Sequence, residues 1–342
     1  MDTLPVELVF AIATELKVSG DIGSFRLTCR SFSAIGLPLQ AQHIAALDSF
    51  QSLTRLACVL NSNSFFAQYT THFTLYHASW VICSMDIWEI RGCLDYGEYH
   101  HMETKSLLSY TFEQHQQFIA TEARRELHLD AALISRLLHM LPRLKTITVA
   151  PMPIRKLNRH EQISVHPFDR DSAGMACSRI LPVLSHFPHV QELEIRGRID
   201  PRDLHWHTLT HIRKLHVSSL ILSLVTRNSM ASLFQCFPSL QELHLGAAEG
   251  MHGLILFDNV FLPDLRTVQL KNLWITAEGF EALINQHPLL RNIAAVGVTL
   301  STGSWGKLLS VTRISYPRIK VVIENCRLNP YRYRIPHLYS YS

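Results

Sequence analysis

Nine residues, FPSLQELHL from Phe237 to Leu245, decide how this 342-residue chain is read. Leu240, Leu243 and Leu245 stand at i, i+3 and i+5, and Pro238 closes whatever precedes them. An apolar pair at spacing two puts both side chains on one face of a β-strand and leaves Glu242 and His244 on the other. The same form returns as LPRLKTITV from Leu141, FPHVQELEI from Phe187, LTHIRKLHV from Leu209, LPDLRTVQL from Leu262, HPLLRNIAA from His287 and YPRIKVVIE from Tyr316. Its first apolar residues are Leu144, Val190, Ile212, Leu240, Leu265, Leu290 and Ile319, with successive gaps of 46, 22, 28, 25, 25 and 29. Chance similarity inside an ordinary α/β domain is the competing reading, and the recurrent phase of Pro against the apolar positions argues against it.

Helical patterns lie between the strand patterns, over 221–237, 277–286 and 304–311. In ITAEGFEALINQHP, Thr276 is placed to cap a helix, Glu278 sits in its first turn, and Phe280, Leu283 and Ile284 form one apolar stripe. Strand plus helix at a period of about 20–29 residues resembles the leucine-rich repeat. The expectation is therefore an α/β fold, a curved solenoid with a parallel sheet lining its concave side. Residues 151–174, Pro-rich, charged and aperiodic, read as the insertion that makes the gap of 46. Upstream, 49–60 carries a helical face, 71–76 alternates as a strand would, and a degenerate earlier repeat is possible there. A helix is expected over 114–127, while 80–101 shows no readable period.

The N-terminal stretch LPVELVFAIATELKVSGDIGSFRLTCRSFSAIGLPL, residues 4–39, has a different grain. Pro5 suits a helix start; Leu8, Ile12 and Leu16 repeat at i, i+4, i+8; Gly20 ends that helix and Asp21 caps the next. A third short helix would present Phe32, Ile35 and Leu39. Three short helices cannot bury all of these groups among themselves, so the module needs a partner. Leu4, Pro5, Glu7, Leu8, Ile12, Leu16, Asp21, Ile22, Arg26, Leu27, Cys29, Arg30 and Phe32 follow one another as in the F-box, which this segment resembles. It departs from that motif at Phe10, Ala11 and Ala13, and Leu37-Pro38-Leu39 stands where a closing Trp is usual.

The resemblance implies a fungal-type F-box protein with C-terminal leucine-rich repeats: an F-box over 1–47, repeats over 48–327 and a tail over 328–342. It also implies a partner, the S-phase-kinase-associated adaptor of Skp–cullin–F-box ubiquitin ligases, docked through Leu4, Pro5, Leu8, Ile12, Leu16, Ile22, Leu27 and Phe32. The repeats would then recruit a protein substrate to the cullin ligase core. The alternative is a scaffold that binds the adaptor without ubiquitin transfer.

Composition agrees without deciding. A hydrophobic fraction of 47% with 18% charged residues excludes a disordered chain. The net charge of +4 is too small to argue for nucleic acid. Asp2 and Glu7 stand where a signal peptide would be positive, no apolar run approaches the ~18 residues of a membrane span, and the seven cysteines are scattered without a CxxC pair. A soluble chain in a reducing compartment, cytoplasmic and/or nuclear, is expected.

Catalytic patterns fail one by one, and neither an enzyme nor a cofactor is expected. There is no HExxH and no G-x-S-x-G; in the stretch AVGVTLSTGSWGKLL, Ser301 replaces the first Gly of a phosphate loop and Leu308 follows Lys307 where Ser or Thr is needed. His205, His207, His211 and His216, with Asp203 nearby, form the one dense histidine cluster, but His211 falls where a strand should begin, off the helical face of His207. The tail alternates Tyr331, Arg332, Tyr333 and Arg334, which reads first as an end cap, then as plain disorder, and last as a nucleic-acid stacking element. The substrate is expected instead along the outward row of the strands: Glu192, Glu194 and Arg196; Lys214, His216 and Ser218; Glu242 and His244; Thr267, Gln269 and Lys271. Its mixed charge suits a protein surface better than a phosphate backbone.

Overall fold

The computed structural model describes residues 30–77, 102–123, 127–152, 173–200, 208–220, 233–247 and 260–328, with positions 12, 13, 24, 27, 28, 84–86, 254, 255 and 257. The chain divides into two units, Met1–Gly197 and Arg198–Ser342. Both are α/β and both are built on parallel strands.

The first unit runs α1 (Arg30–Ala41), β1 (His43–Leu47), α2 (Phe50–Ser62), α3 (Ser64–Tyr69), β2 (His72–His77), α4 (Met102–Ala123), α5 (Leu127–His139), β3 (Thr146–Pro151), α6 (Ala173–Leu184) and β4 (Glu192–Ile199). Its strands lie side by side in chain order, each parallel to the next. Parallel pairing requires a crossover, and helices supply it. α5 packs against α2 and α6, and α6 against β2 and β3. Arg179 of α6 holds this layer together: its guanidinium lies 2.7 Å from Asp48 and 3.5 Å from Asp130, both nearly buried. Three segments far apart in sequence meet at that one cation.

The second unit runs β5 (Lys214–Leu220), β6 (Glu242–Ala247), β7 (Leu254–Ile255), β8 (Thr267–Lys271), β9 (Trp274–Ile275), α7 (Ala277–Gln286), β10 (Asn292–Val296), β11 (Thr299–Leu300), α8 (Trp305–Ser315), β12 (Lys320–Glu324) and β13 (Arg327–Leu328). Strands β5, β6, β8, β10 and β12 pair in that order, all parallel, and the two-residue strands β7, β9, β11 and β13 form a second small sheet. Between the two strands of a repeat the chain turns at Asn272 (φ 55°), Gly297 (φ 63°) or Asn325 (φ 52°). Asn and Gly are the residues that tolerate this left-handed conformation. Thr276 caps α7 by accepting the Gly279 N–H at 2.8 Å, and Phe280, Leu283 and Ile284 are buried as the stripe requires.

The repeated sequence acts through one turn. The N–H of each first apolar residue donates to the carbonyl three residues back: Leu144 to Leu141, Val190 to Phe187, Ile212 to Leu209, Leu240 to Phe237, Leu265 to Leu262, Leu290 to His287 and Ile319 to Tyr316, at 2.9–3.3 Å. Leu144, Val190, Ile212, Leu240, Leu265 and Leu290 are wholly buried, and a strand begins two residues after each. The last repeat differs. Lys320, one residue after Ile319, pairs with Asn292, so Val321 and Ile323 continue the inward rows while Val322 is 40% exposed. Keeping the spacing of the other repeats would have turned Glu324 into the core.

Two repeats precede those the sequence pattern shows. β1 pairs with β2 and β2 with β3, so the parallel sheet starts at His43, ahead of residue 48. Register puts Ala41 and Thr70 where Leu144 stands, both fully buried. The Thr70 hydroxyl is accommodated by the Ala41 carbonyl at 2.9 Å and the Phe66 carbonyl at 2.7 Å. The helix expected over 114–127 begins earlier and ends at Ala123. Of the helix expected over 221–237, only residues 233–237 are described, with 233–235 helical; residues 153–172 of the expected insertion and 329–342 of the tail lie outside the described residues.

His287 occupies the buried position that is Leu141, Phe187, Leu209, Phe237 and Leu262 in the other turns. Its Nδ1 lies 2.6 Å from the Leu283 carbonyl, which only accepts, so Nδ1 carries the proton of a neutral ring. Burial holds this imidazole below its usual 6.5. As pH falls below 6.5 the unfolded chain takes up a proton that the folded chain resists, so stability falls with acidification. Denaturant titrations at pH 7.5 and 5.5 should show lower stability at 5.5, and a smaller difference in His287→Phe.

Candidate functional site

On strands β4, β5, β6 and β8 the inward side chains are apolar and buried, and the alternate positions form an outward polar face. Every residue expected on the outward row that lies in a strand is on that face.

On the first unit, register sets Thr146 beside Glu192 and Thr148 beside Glu194. The Thr146 hydroxyl donates to Glu192 Oε2 at 2.9 Å and Thr148 to Glu194 Oε2 at 3.1 Å. Arg196, two residues along the same strand face, grips Glu194 with Nη2 and Nε, both at 2.8 Å. This fork keeps an exposed charge pair in one geometry, although such surface pairs contribute only ~0–1 kcal/mol to stability. Beside them the rings of His43 and His72 stack at 4.3 Å. Burial, with His43 adjacent, lowers the His72 pKa. Tyr76 also faces outward, an aromatic that the sequence rows from Val190 onward lack.

On the second unit, Lys214 Nζ is 3.4 Å from Glu242 across β5 and β6. In the next row His216 and His244 meet edge to face at 5.4 Å, with Gln269 on the far side of His244. Beyond them a cleft of about 390 Å³ opens, lined by His216, Ser218, Ser219, His244, Gly246, Gln269, Lys271 and Asn272 among others. The backbone explains its place. Val217 pairs with Leu245 and Leu220 with Ala247, so two residues of β5 oppose Gly246 alone in a β-bulge. A Cβ on Gly246 would meet the Ser218 carbonyl oxygen at 2.6 Å, so the close approach needs glycine.

Ser219, Gly246 and Asn272 were not legible as site residues; the one signal was Gly246, in LHLGAA, where Lys271 stands in the next repeat. Of the expected adaptor-binding residues, Leu4, Pro5, Leu8, Leu16 and Ile22 lie outside the described residues. Ile12 is 51% exposed, Leu27 89% exposed, and Phe32 is half-buried on α1, which packs against α3 and β1. His205, His207 and Asp203 lie outside the described residues, His211 sits in the turn entering β5, and His216 faces the cleft. Among the described residues no three His, Cys, Asp or Glu side chains gather as a metal site, and no helix is long and apolar enough to cross a membrane. Burial pushes the thiols of Cys177, Cys236 and Cys326 up, away from the reactive thiolate form. The faces offer hydrogen bonds and paired charges, the chemistry of recognition.

No protein-family model matches the chain, and no curated protein matches it.

Gly246→Ala should cost about 1–3 kcal/mol in denaturant unfolding, because the obstructing atom is backbone and must move. Gly174→Ala, on helix α6 with nothing within 4 Å of the new Cβ, should instead stabilise by about 0.5–1 kcal/mol.

Proposed function

We propose that this protein is the substrate-recognition subunit of a Skp–cullin–F-box ubiquitin ligase. In this reading residues 1–47 dock the adaptor, and the following repeats, as a leucine-rich-repeat solenoid, hold a protein substrate on their outward strand faces. The observation that carries the proposal is the outward polar face itself: parallel strands in chain order, with charges of both signs in register, behind a stretch with the ordered F-box residues. A face of this kind presents polar side chains of both charges, and a partner can meet them by extending or exchanging the hydrogen bonds they already make. Two apolar positions of the motif, Ile12 and Leu27, stand open, as a docking module requires.

The ligase reading and the scaffold reading both place the adaptor on residues 1–47, so adaptor binding alone does not separate them. Leu8→Asp puts a charge into the adaptor contact and should abolish co-purification of the adaptor. Deleting residues 1–29, which spares α1 and the sheet strand β1, should also remove the cullin and make the substrate accumulate in cells. Recovery of the adaptor without cullin, and no protein whose turnover slows, would favour the scaffold; no adaptor at all would sink both.

Glu192 and Glu194 test the recognition face. Reversing both to Lys removes the acceptors of Thr146 and Thr148 and sets like charge against Arg196. Substrate capture should weaken while adaptor co-purification stays intact. Parallel loss of both would mean misfolding, and no change in either would mean that the substrate binds elsewhere.

A further inference from the structure

Among the described residues, the sheet of the second unit stops at β12 and the small sheet stops at β13, so both layers of the last repeat are edges. Each edge side chain has a partner one repeat earlier. Leu300 of β11 is 1% exposed, and its partner Leu328 on β13 is 50% exposed. Ile293 and Ala295 on β10 are buried, while their partners Val321 and Ile323 are only half-buried. Three side chains in core rows therefore meet water at this end. The backbone is open there too. The Lys320 N–H donates to the Arg291 carbonyl at 2.7 Å, so alternation turns the N–H and C=O groups of Val321 and Ile323 to the far edge.

Stacked repeats bury each core face only against the next, so an open end needs a cover. In the two preceding repeats the chain runs from the short strand into a helix, α7 after β9 and α8 after β11. Beyond β13 the sequence changes character. Residues 329–342, NPYRYRIPHLYSYS, lie outside the described residues, and their prolines at 330 and 336 leave too short a stretch between them for another such helix. Between the prolines Tyr331, Tyr333 and Ile335 alternate with Arg332 and Arg334, and Ile335, standing before Pro336, favours extended backbone. In an extended chain that alternation gives one face of two aromatic rings and a branched aliphatic chain, and an opposite face of two guanidinium groups. Three half-covered core side chains are thus followed directly, at Leu328, by a segment with three large apolar groups in one row.

We infer that residues 329–335 close this end of the second unit, with Tyr331, Tyr333 and Ile335 packed over Leu328, Val321 and Ile323 and with Arg332 and Arg334 outward in water. Length allows it: residues 329–335 span up to about 24 Å when extended, against about 17 Å for β12. Apolar contact and not charge places the segment, since β12 carries Lys320 and Glu324, one of each sign. Tethered at Leu328, the segment meets the edge at the high effective concentration of a short linker. A second copy of the chain is the other natural occupant of a strand edge. Size stands against it, because a stable interface takes about 20–30 residues a side and this end offers a strand of 5 residues and a strand of 2. The inference goes beyond the receptor reading and does not depend on it.

Hydrogen–deuterium exchange on the full chain tests this, read by mass spectrometry over residues 320–328 and, as an internal reference, over β8. In the triple variant Tyr331→Ser, Tyr333→Ser, Ile335→Ser, exchange over 320–328 should quicken by about tenfold or more while β8 exchanges as in the unsubstituted chain. The double variant Arg332→Ser, Arg334→Ser alters only the outward face and should leave both regions unchanged. Exchange over 320–328 should also be independent of protein concentration. Equal exchange over 320–328 in the unsubstituted chain and the triple variant overturns the inference. So does a quickening equal in both regions, which reports a global loss of stability. Protection that grows with protein concentration overturns it by assigning the edge to a second copy, and a larger effect from the arginine pair does so by putting the charged face against the sheet. No readout involves the adaptor or a substrate, so failure here leaves the receptor reading standing.

Discussion

The structure depends on one backbone arrangement: a carbonyl just past each turn that accepts two consecutive N–H groups from the next repeat. Gln42 receives Thr71 and His72, Thr71 receives Lys145 and Thr146, and Lys145 receives Gln191 and Glu192 in the first unit. Arg213 receives Gln241 and Glu242, Gln241 receives Arg266 and Thr267, and Arg266 receives Arg291 and Asn292 in the second. Each of these bonds fixes where a strand enters the sheet. Because side chains alternate with period two, a slip of one residue would exchange the core with the outward face. The buried leucine-type residue immediately before the carbonyl makes the slip costly, since Leu240 or Leu265 would have to leave the core. Apolar burial and hydrogen-bond register thus enforce each other, and the polar rows follow from both.

That coupling explains what could be read from sequence. The repeats from Leu144 to Leu290 were legible because a large apolar residue marks the turn, a Pro commonly precedes it, and two apolar residues follow at fixed spacing. The helix after Thr276 was legible because cap, first-turn acid and stripe all agree. Ala41 and Thr70 fill the same structural position without any of this signal: one is too small to stand out, and the other hides its polarity by bonding two carbonyls. Ile319 misled the spacing by one residue, because YPRIKVVIE has apolar residues at both 321 and 322 and only the neighbouring strand chooses between them.

The outward face was legible as a list and illegible as a surface. Alternation predicted which side chains leave the core, so Glu192, Glu194, Lys214, His216, Glu242, His244, Gln269 and Lys271 fell where expected. Their grouping into an ion-paired patch around Glu194 and a cleft beside Gly246 depends on which strand neighbours which, and on a bulge in β5. A bulge is a mismatch between two strands, and neither strand's sequence alone records it. The N-terminal motif is the opposite case, since its ordered residues are read easily and most of them lie outside the described residues.

The spacing of paired residues also bears on how the sheets assemble. In the second unit Glu242 meets Thr267 and Thr267 meets Asn292, each only 25 residues along the chain, whereas His72 meets Thr146, 74 residues away. Closing the longer loop costs about 1 kcal/mol more in chain entropy. Local pairings speed folding, and a distant one delays it. The joint between β2 and β3 thus carries the larger closure cost, and Arg179 ties Asp48 to Asp130 across that same long connection.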